Sequence, residues 1–264
     1  MTMRHWLHVE IAALLLALGG GAAAQQAPPS GHVPPDPPAQ PLADMPHAQM
    51  EDAMQMHDDA AYGMFKLDQF EHALGDAGAG YELEAWYGRD FDKLWLRSEG
   101  ERRYASSDLR AEVFWDHAFA SFWDWQLGVR HDFGSGPARQ WAAFGVQGIA
   151  PYWFELEATA YVGESGRGAA RLRGEYELLL TQRWILQAES EANLYARSDA
   201  RREVGSGLSD ASIGLRLRYE FRREFAPYVG VIRQHRFGAA AGFARAAGHD
   251  VADTQLVAGL RIWF

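Results

Sequence analysis

Hydrophobic and polar residues alternate along most of this chain, and the alternation is strictest over residues 254–264. A period of two is that of a β-strand, whose successive side chains point to opposite faces. The pattern therefore predicts a strand that ends on the aromatic Phe264, which is typical of the closing strand of a bacterial outer-membrane barrel. The last strand of a soluble sandwich fits this segment equally well. The apolar face carries Leu256, Ala258, Leu260, Ile262 and Phe264.

The same alternation holds from residue 64 onward and predicts twelve strands, the first of which, over 64–74, has poor parity. Leu109 and Ala111, for example, alternate with Arg110. Many of the predicted strands have about ten or more residues, the length that a tilted transmembrane strand needs. Strands of soluble proteins usually have about five or six. The fold class predicted is all-β, a twelve-stranded antiparallel outer-membrane β-barrel.

The predicted connections alternate in length, as they do in outer-membrane barrels with short periplasmic turns and longer external loops. An even number of strands places both termini on the short-turn side. The tight breaks fall near residues 88–92, 118–121, 150–151, 181–182 and 222–225. The connections of equal or greater length fall at 75–80, 104–108, 134–139, 164–168, 197–207 and 238–253.

Aromatic residues crowd the predicted tight turns. Aromatic side chains of this kind prefer the headgroup layer of a membrane, where the ring is half hydrated. A soluble sandwich has no reason to surround one of its ends with tryptophan. These residues include Trp86, Tyr87, Phe91, Trp115, Phe119, Phe122, Trp123, Trp125, Tyr152, Trp153, Phe154, Trp184, Phe225, Tyr228, Trp263 and Phe264.

The N-terminal residues have the features of a secretory signal peptide, with Arg4, a short apolar core over 11–18 and alanines at 22–24. No later segment reaches the 18 or so apolar residues of a membrane-spanning helix. We predict a signal peptide over 1–24, a disordered periplasmic leader over 25–62 that is rich in proline and then in Met and His, and a barrel over 63–264. A retained anchor helix is the alternative to cleavage.

Charge and cysteine content exclude several classes of function. The net charge of −10 argues against a nucleic-acid partner. The absence of cysteine excludes disulfides, zinc ribbons, a thiolate nucleophile and a lipoprotein anchor.

Inside the predicted barrel, acidic and basic residues of the polar parity face one another in near balance. The simplest interpretation is that they form ion pairs that hold the barrel's shape; a cation path lined by the glutamates is the alternative. The acidic residues are Glu82, Glu84, Glu99, Glu112, Glu155, Glu157, Glu175, Glu177, Glu189, Glu191 and Glu220. The basic residues are Lys93, Arg97, Arg110, Arg130, Arg171, Arg173, Arg216, Arg218 and Arg261.

Methionine and histidine collect at the end of the leader. Thioethers are soft ligands that suit Cu(I), whereas imidazoles suit both Cu(I) and Cu(II). Thioethers also stay neutral, so they can bind at any pH, unlike histidine, which must be deprotonated. The pattern predicts copper binding; a chance run in a polar linker is the alternative. The predicted ligands are Met45, His47, Met50, Met54, Met56 and His57.

Evidence for catalytic chemistry is weak. A hydrolase needs a serine with a histidine and a third group, and His131 with Ser135 is the one hint. His117 and His72 could ligate a metal, but packing or interfacial roles explain them better. We predict a protein that is not an enzyme.

Several stretches of this chain resemble the copper resistance protein B family of Gram-negative bacteria. The resemblance covers about residues 64–264, and the leader matches in kind, although it is shorter and poorer in histidine than some in the family. It implies an outer-membrane barrel that serves periplasmic copper tolerance, with a periplasmic multicopper oxidase as a partner. The stretches are 91–101 (FDKLWLRSEGE), 122–134 (FWDWQLGVRHDFG), 141–166 (WAAFGVQGIAPYWFELEATAYVGESG), 223–230 (REFAPYVG) and the close from residue 253.

The prediction is therefore a monomeric barrel in the outer membrane, surrounded by lipid, with copper ion as its ligand. The leader would capture copper and either sequester it or pass it to the charged lumen. The alternative is a narrow passive channel for small solutes that does not bind copper specifically.

Overall fold

The computed structural model describes residues 60–75, 78–103, 106–134 and 136–264, and these form a closed antiparallel β-barrel of twelve strands. Each strand pairs with the next along the chain, and the last pairs with the first. The fold class predicted from the alternation is confirmed. The strands are β1 (Tyr62–Ala73), β2 (Ala79–Gly88), β3 (Asp92–Arg103), β4 (Ser106–Ala120), β5 (Trp123–Gly134), β6 (Arg139–Ala150), β7 (Phe154–Gly163), β8 (Arg167–Leu179), β9 (Trp184–Tyr195), β10 (Gly207–Tyr219), β11 (Phe225–Arg236) and β12 (Ala252–Trp263).

The closing strand has the role that its alternation predicts. β12 pairs with β1 on one side and β11 on the other, so the sheet has no open edge. The last residue takes part in the closure: the Phe65 amide donates to the Phe264 carbonyl oxygen at 3.0 Å, and the Phe264 amide donates to that of Phe65 at 2.8 Å. Closure satisfies backbone groups that would otherwise face hydrocarbon unpaired.

A β-bulge explains the poor parity of the first strand. The register of β1 shifts between Leu67 and Phe70, so that consecutive residues Asp68 and Gln69 are both buried in the lumen. A bulge inserts one extra residue and reverses the alternation beyond it. Phe70 consequently faces outward and is 58% exposed.

The apolar parity faces outward and the charged parity faces the axis, the reverse of a soluble barrel. Val129 and Val162 on the exterior are 60% and 65% exposed, whereas Glu112 and Arg171 in the lumen are 1% and 2% exposed. Burying charge inside and leaving aliphatic side chains outside is favourable only when lipid surrounds the exterior. Within the described ranges, no helix is both long enough and apolar enough to cross a membrane.

Two of the predicted loops are much longer than the tight turns, and the others are of similar length to them. The connections over 196–206 and 237–251 are long, and the second contains the helix α1 (Gly238–Ala247). The break predicted at 104–108 exists but is shorter, because β3 ends at Arg103, β4 begins at Ser106 and Asp108 pairs with Glu101 in the ladder. The polar residues of that stretch resemble a loop in composition but continue two strands.

The two long loops contact each other at the end of the barrel opposite the termini. Ala240, Ala241 and Ala244 of α1 are buried, and a Cβ on Gly205 would lie 2.6 Å from the Ala240 nitrogen. Within the first loop, Asp199 accepts hydrogen bonds from Arg139 at 2.6 Å and Arg167 at 2.8 Å. Partial burial raises the pKa of Asp199, but the bond from Arg139 and the nearby positive charge outweigh it and hold that pKa below its ordinary value.

The predicted aromatic girdle lies at the tight-turn end of the barrel, where β1 begins and β12 ends. Trp115 and Trp125 contact edge to face at 4.7 Å between ring centroids, and the Trp115 indole donates to Asp92 Oδ1 at 3.0 Å. Trp86 and Tyr228 are exceptions, since both lie on the lumen face: Trp86 is in register with Trp95, and the Tyr228 hydroxyl donates to Glu71 at 3.2 Å. The exposed members include Tyr87, Phe91, Phe119, Phe122, Tyr152, Trp153, Phe154, Trp184, Phe225, Trp263 and Phe264.

Candidate functional site: the barrel lumen

The antiparallel register sets acid opposite base on neighbouring strands of the lumen. Glu84 on β2 pairs with Arg97 on β3, and Arg97 pairs with Glu112 on β4. Glu157 on β7 stands opposite Arg173 on β8. Since cross-strand side chains lie about 5 Å apart, these charges neutralise one another locally.

Longer contacts cross the lumen between distant strands. Arg173 on β8 forks onto Glu82 of β2, with its Nη2 donating to Oε2 at 3.0 Å, and its Nη2 also lies 3.2 Å from Glu189. Arg97 on β3 donates at 2.6 Å to both Glu157 and Gln147 on β7 and β6. These planar guanidinium contacts bridge the walls of the barrel and fix their separation.

A second group of contacts secures the seam where the barrel closes. Arg216 on β10 donates to Glu189 at 2.5 Å and to Gln69 of the bulge at 2.9 Å. Arg261 on β12 lies 3.0 Å from Asp68 and donates to Glu177 at 2.7 Å. The bulge therefore has a structural purpose: it turns two adjacent polar residues inward to meet arginines from two other strands.

One wall of the lumen is aromatic. Phe114, Trp141 and Tyr161 are almost fully buried and form a cluster. Each ring meets a charge: Arg97 lies 5.4 Å from the Phe114 centroid, and the Tyr161 hydroxyl donates to Glu112 at 2.8 Å. Cation–π contacts and phenol hydrogen bonds let this wall fill space while its rings contact the charged side chains beside them.

Two cavities lie on either side of the cross-lumen contacts. The inner cavity, at the tight-turn end, has a volume of about 440 Å³ and is lined by six carboxylates and four cationic side chains. The outer cavity, at the loop end, has a volume of about 390 Å³ and is lined by ten carboxylates and five arginines. Arg173 lines the first and Glu82 the second, so the bond between them lies between the two cavities. Both cavities are net negative and favour cations over anions.

The predicted copper ligands Met45, His47, Met50, Met54, Met56 and His57 all lie outside the described residues. Within the described ranges, no group of three or more His, Asp or Glu side chains is arranged to hold a metal ion. His131 and His72 lie on outward-facing positions of β5 and β1, and His117 accompanies Asp92 at the girdle, 2.9 Å from its Oδ1. Ser135, the proposed hydrolytic partner of His131, is likewise outside the described residues.

Neutral polar residues complete the lumen, although the charge pattern alone gives them no role. Gln126 and Gln147 both donate to Asp116, which is fully buried, and Asn193 joins Glu191 to Asp210. All of them share the parity of the charged residues, so period two was the signal that could have identified them.

Comparison with known proteins relates this chain to one family. Residues 61–264 match the family described as "Copper resistance protein B precursor (CopB)". "Copper resistance protein B homolog" of Pseudomonas syringae pv. tomato is 45% identical over 213 residues, which are 80% of this chain and 72% of that protein. "Copper resistance protein B" of Escherichia coli is 44% identical over 212 residues, 79% of this chain and 72% of that protein.

Among solved structures, the NanC porin has a TM-score of 0.52 at 13% identity, covering 75% of this chain and 98% of that one. At this identity the likeness concerns the fold alone, and the fold is that of an outer-membrane barrel. The family match, in contrast, covers every strand from β1 to β12, and both relatives are named for the same family. This chain therefore belongs to the copper resistance protein B family.

Proposed function

We propose that this protein binds copper through its Met/His leader at the periplasmic face of the outer membrane and so limits free periplasmic copper. The observation that carries the proposal is the family relationship, because the matched proteins are named for copper resistance. Soft thioethers and imidazoles in the leader supply ligands that copper prefers.

The barrel's role in this proposal is to hold the leader at the membrane. β1 begins at Tyr62 on the tight-turn side, which is also the side of the inner cavity. In outer-membrane barrels this side faces the periplasm. The net negative lining of the inner cavity favours cations released nearby. A periplasmic multicopper oxidase is the partner that we propose for the copper-loaded leader.

Replacing the six leader ligands should abolish most copper binding by the full-length protein in detergent. The variant carries M45L, H47Q, M50L, M54L, M56L and H57Q, which keep side-chain size while removing each soft donor. We expect its copper affinity to fall by at least about tenfold, because loss of ligands removes the main binding contacts. Equilibrium dialysis with Cu(II), and competition against a chromophoric Cu(I) chelator, measure the change.

A matched control carries M64L, H72Q and H249Q, which remove the same donor types from β1 and from the loop after α1. This control should retain the wild-type affinity. Equal copper binding by the leader variant and the wild type would refute the proposal.

The alternative function, a narrow passive channel, makes a different prediction for conductance. Because arginines cross the lumen between the two cavities, we expect wild-type protein in planar bilayers to conduct far less than a general porin. The combined R97A and R173A variant, which removes the cross-lumen side chains, should conduct severalfold more. High wild-type conductance that is insensitive to copper, and to removal of residues 25–59, would favour the channel.

A further inference from the structure

Ionisable side chains on the lipid-facing surface lie at two rims, and the two rims differ in charge. At the tight-turn rim, Asp92 and His117 pair with each other. At the loop rim, every ionisable side chain other than Tyr81 on an outward-facing position of the described strands is an arginine or a histidine, and none is a carboxylate. These residues, named here the outer rim, are His72, Arg102, His131, Arg233 and His235.

The outer rim lies at one height. Each member follows the tight-turn end of its own strand by eight to ten residues, as the starts of β1, β3, β5 and β11 show. At about 3.3 Å per residue and a tilt of roughly 40°, this is about 20–25 Å above that end, which matches the apolar band of such barrels. Below the rim the exterior is apolar, with Val129 60% and Val229 56% exposed. The outer rim therefore marks the level at which hydrocarbon gives way to headgroups.

The side chain of Arg233 is held in one direction by a hydrogen bond to the neighbouring strand. It is exposed on β11, and its Nη1 donates to Thr254 Oγ1 on β12 at 3.1 Å. A guanidinium has five N–H donors, and Thr254 takes one of them while fixing the group's direction. His235, two residues further along the same face, contacts Phe237 with the rings tilted by 36° and their centroids 4.5 Å apart. Two cationic or protonatable groups thus stand side by side above Val231.

A second pair of outer-rim residues, His72 and Arg102, lies in one row of register that runs across three neighbouring strands. His72 on β1 is in register with Ala79 on β2, and Ala79 is in register with Arg102 on β3. The two outer members are therefore about 10 Å apart, with only a methyl group between them. Such a row leaves room for a bulky headgroup to approach both.

We propose that the outer rim binds the phosphate groups of the phosphorylated glycolipid in the outer leaflet. A phosphomonoester presents a charge of up to about −2 and several acceptor oxygens, which arginine contacts bidentately. A cation at the edge of a hydrocarbon layer is stable when a headgroup anion neutralises it. The outer rim carries positive charge and lies at the loop end of the barrel, so the headgroups that it meets are those of the outer leaflet.

The test measures binding of bis-phosphorylated lipid A to the full chain in detergent, with the same lipid after removal of both phosphates as comparison. Native mass spectrometry reports the number bound and the apparent dissociation constant. We expect the phosphorylated lipid to bind at least about tenfold more tightly, and R102Q/R233Q/H235Q to lose about tenfold in affinity for it. The D92N/H117Q variant of the opposite rim should bind as the wild type does.

Two further variants distinguish lost binding from lost folding. R102K/R233K keeps both charges and should retain most of the affinity, while R233Q alone should lose a few fold. Heat-modifiable mobility on gels shows that each variant is folded. Equal binding of phosphorylated and dephosphorylated lipid would overturn the proposal. Binding of phosphatidylglycerol as tight as that of lipid A would also overturn it, in favour of an unspecific attraction for anionic lipid.

Discussion

Replacing Arg173 with methionine should lower the free energy of unfolding by about 3–5 kcal/mol, the usual cost of removing one partner from a buried ion pair. The side chains of Arg173 and Glu82 are 9% and 10% exposed, and the arginine also lies 3.2 Å from Glu189. Without the guanidinium, Glu82 remains in the lumen without its counter-ion, whereas Glu189 keeps its contact with Arg216. Denaturant unfolding of the protein in phospholipid vesicles, followed by tryptophan fluorescence, gives the change.

A double substitution separates the lost pair from a general disturbance of packing. R173M/E82Q removes both members of the pair, so it should be more stable than R173M, because one uncompensated charge disappears with its partner. R222M, at an exposed position of the β10–β11 turn, should change the free energy of unfolding by less than about 0.5 kcal/mol. An R173M protein as stable as R222M would show that the cross-lumen contacts contribute little.

The strands of this barrel could be predicted from sequence because their signal is local. In β10, Ile213 and Leu215 alternate with Arg216 and Arg218, and the structure puts the first pair against lipid and the second in the lumen. Period two depends only on the backbone of one strand, and the two environments differ strongly in polarity.

The pairing across the lumen could not be predicted in the same way. Arg173 and Glu82 are 91 residues apart, and they meet because the tilt and stagger of the whole barrel bring β8 opposite β2. Parity states which face a residue occupies but not its height or its partner across the axis. The bulge at Asp68 shows the same limit, since its purpose depends on Arg261 from the far end of the chain.

The candidate copper site was predicted from residue types alone, and its six residues lie outside the described part of the chain. The described residues show a net negative inner cavity on the side of the barrel where β1 starts. The loops were predicted less well, because a polar stretch such as 106–108 has loop-like composition and yet forms a regular ladder.

Placing a charge on the lipid-facing surface tests the assignment of sides on which all of these inferences rest. Val129 lies near the middle of β5, faces outward and is 60% exposed. A Val129→Arg substitution should destabilise the folded protein by about 2–4 kcal/mol, since the midplane of the bilayer cannot solvate a guanidinium. Reversible unfolding in vesicles measures this cost.

The same substitution near the rim provides the matched control. Phe133 lies on the same face of β5, four residues closer to the loop end, and is 42% exposed. A Phe133→Arg substitution should cost only about 0–1 kcal/mol, because the side chain reaches the headgroup layer. A soluble barrel would tolerate both arginines equally, since water would solvate each of them. Equal and small effects at the two positions would therefore reverse the assignment of sides, whereas a cost that grows with depth requires lipid around the aliphatic band.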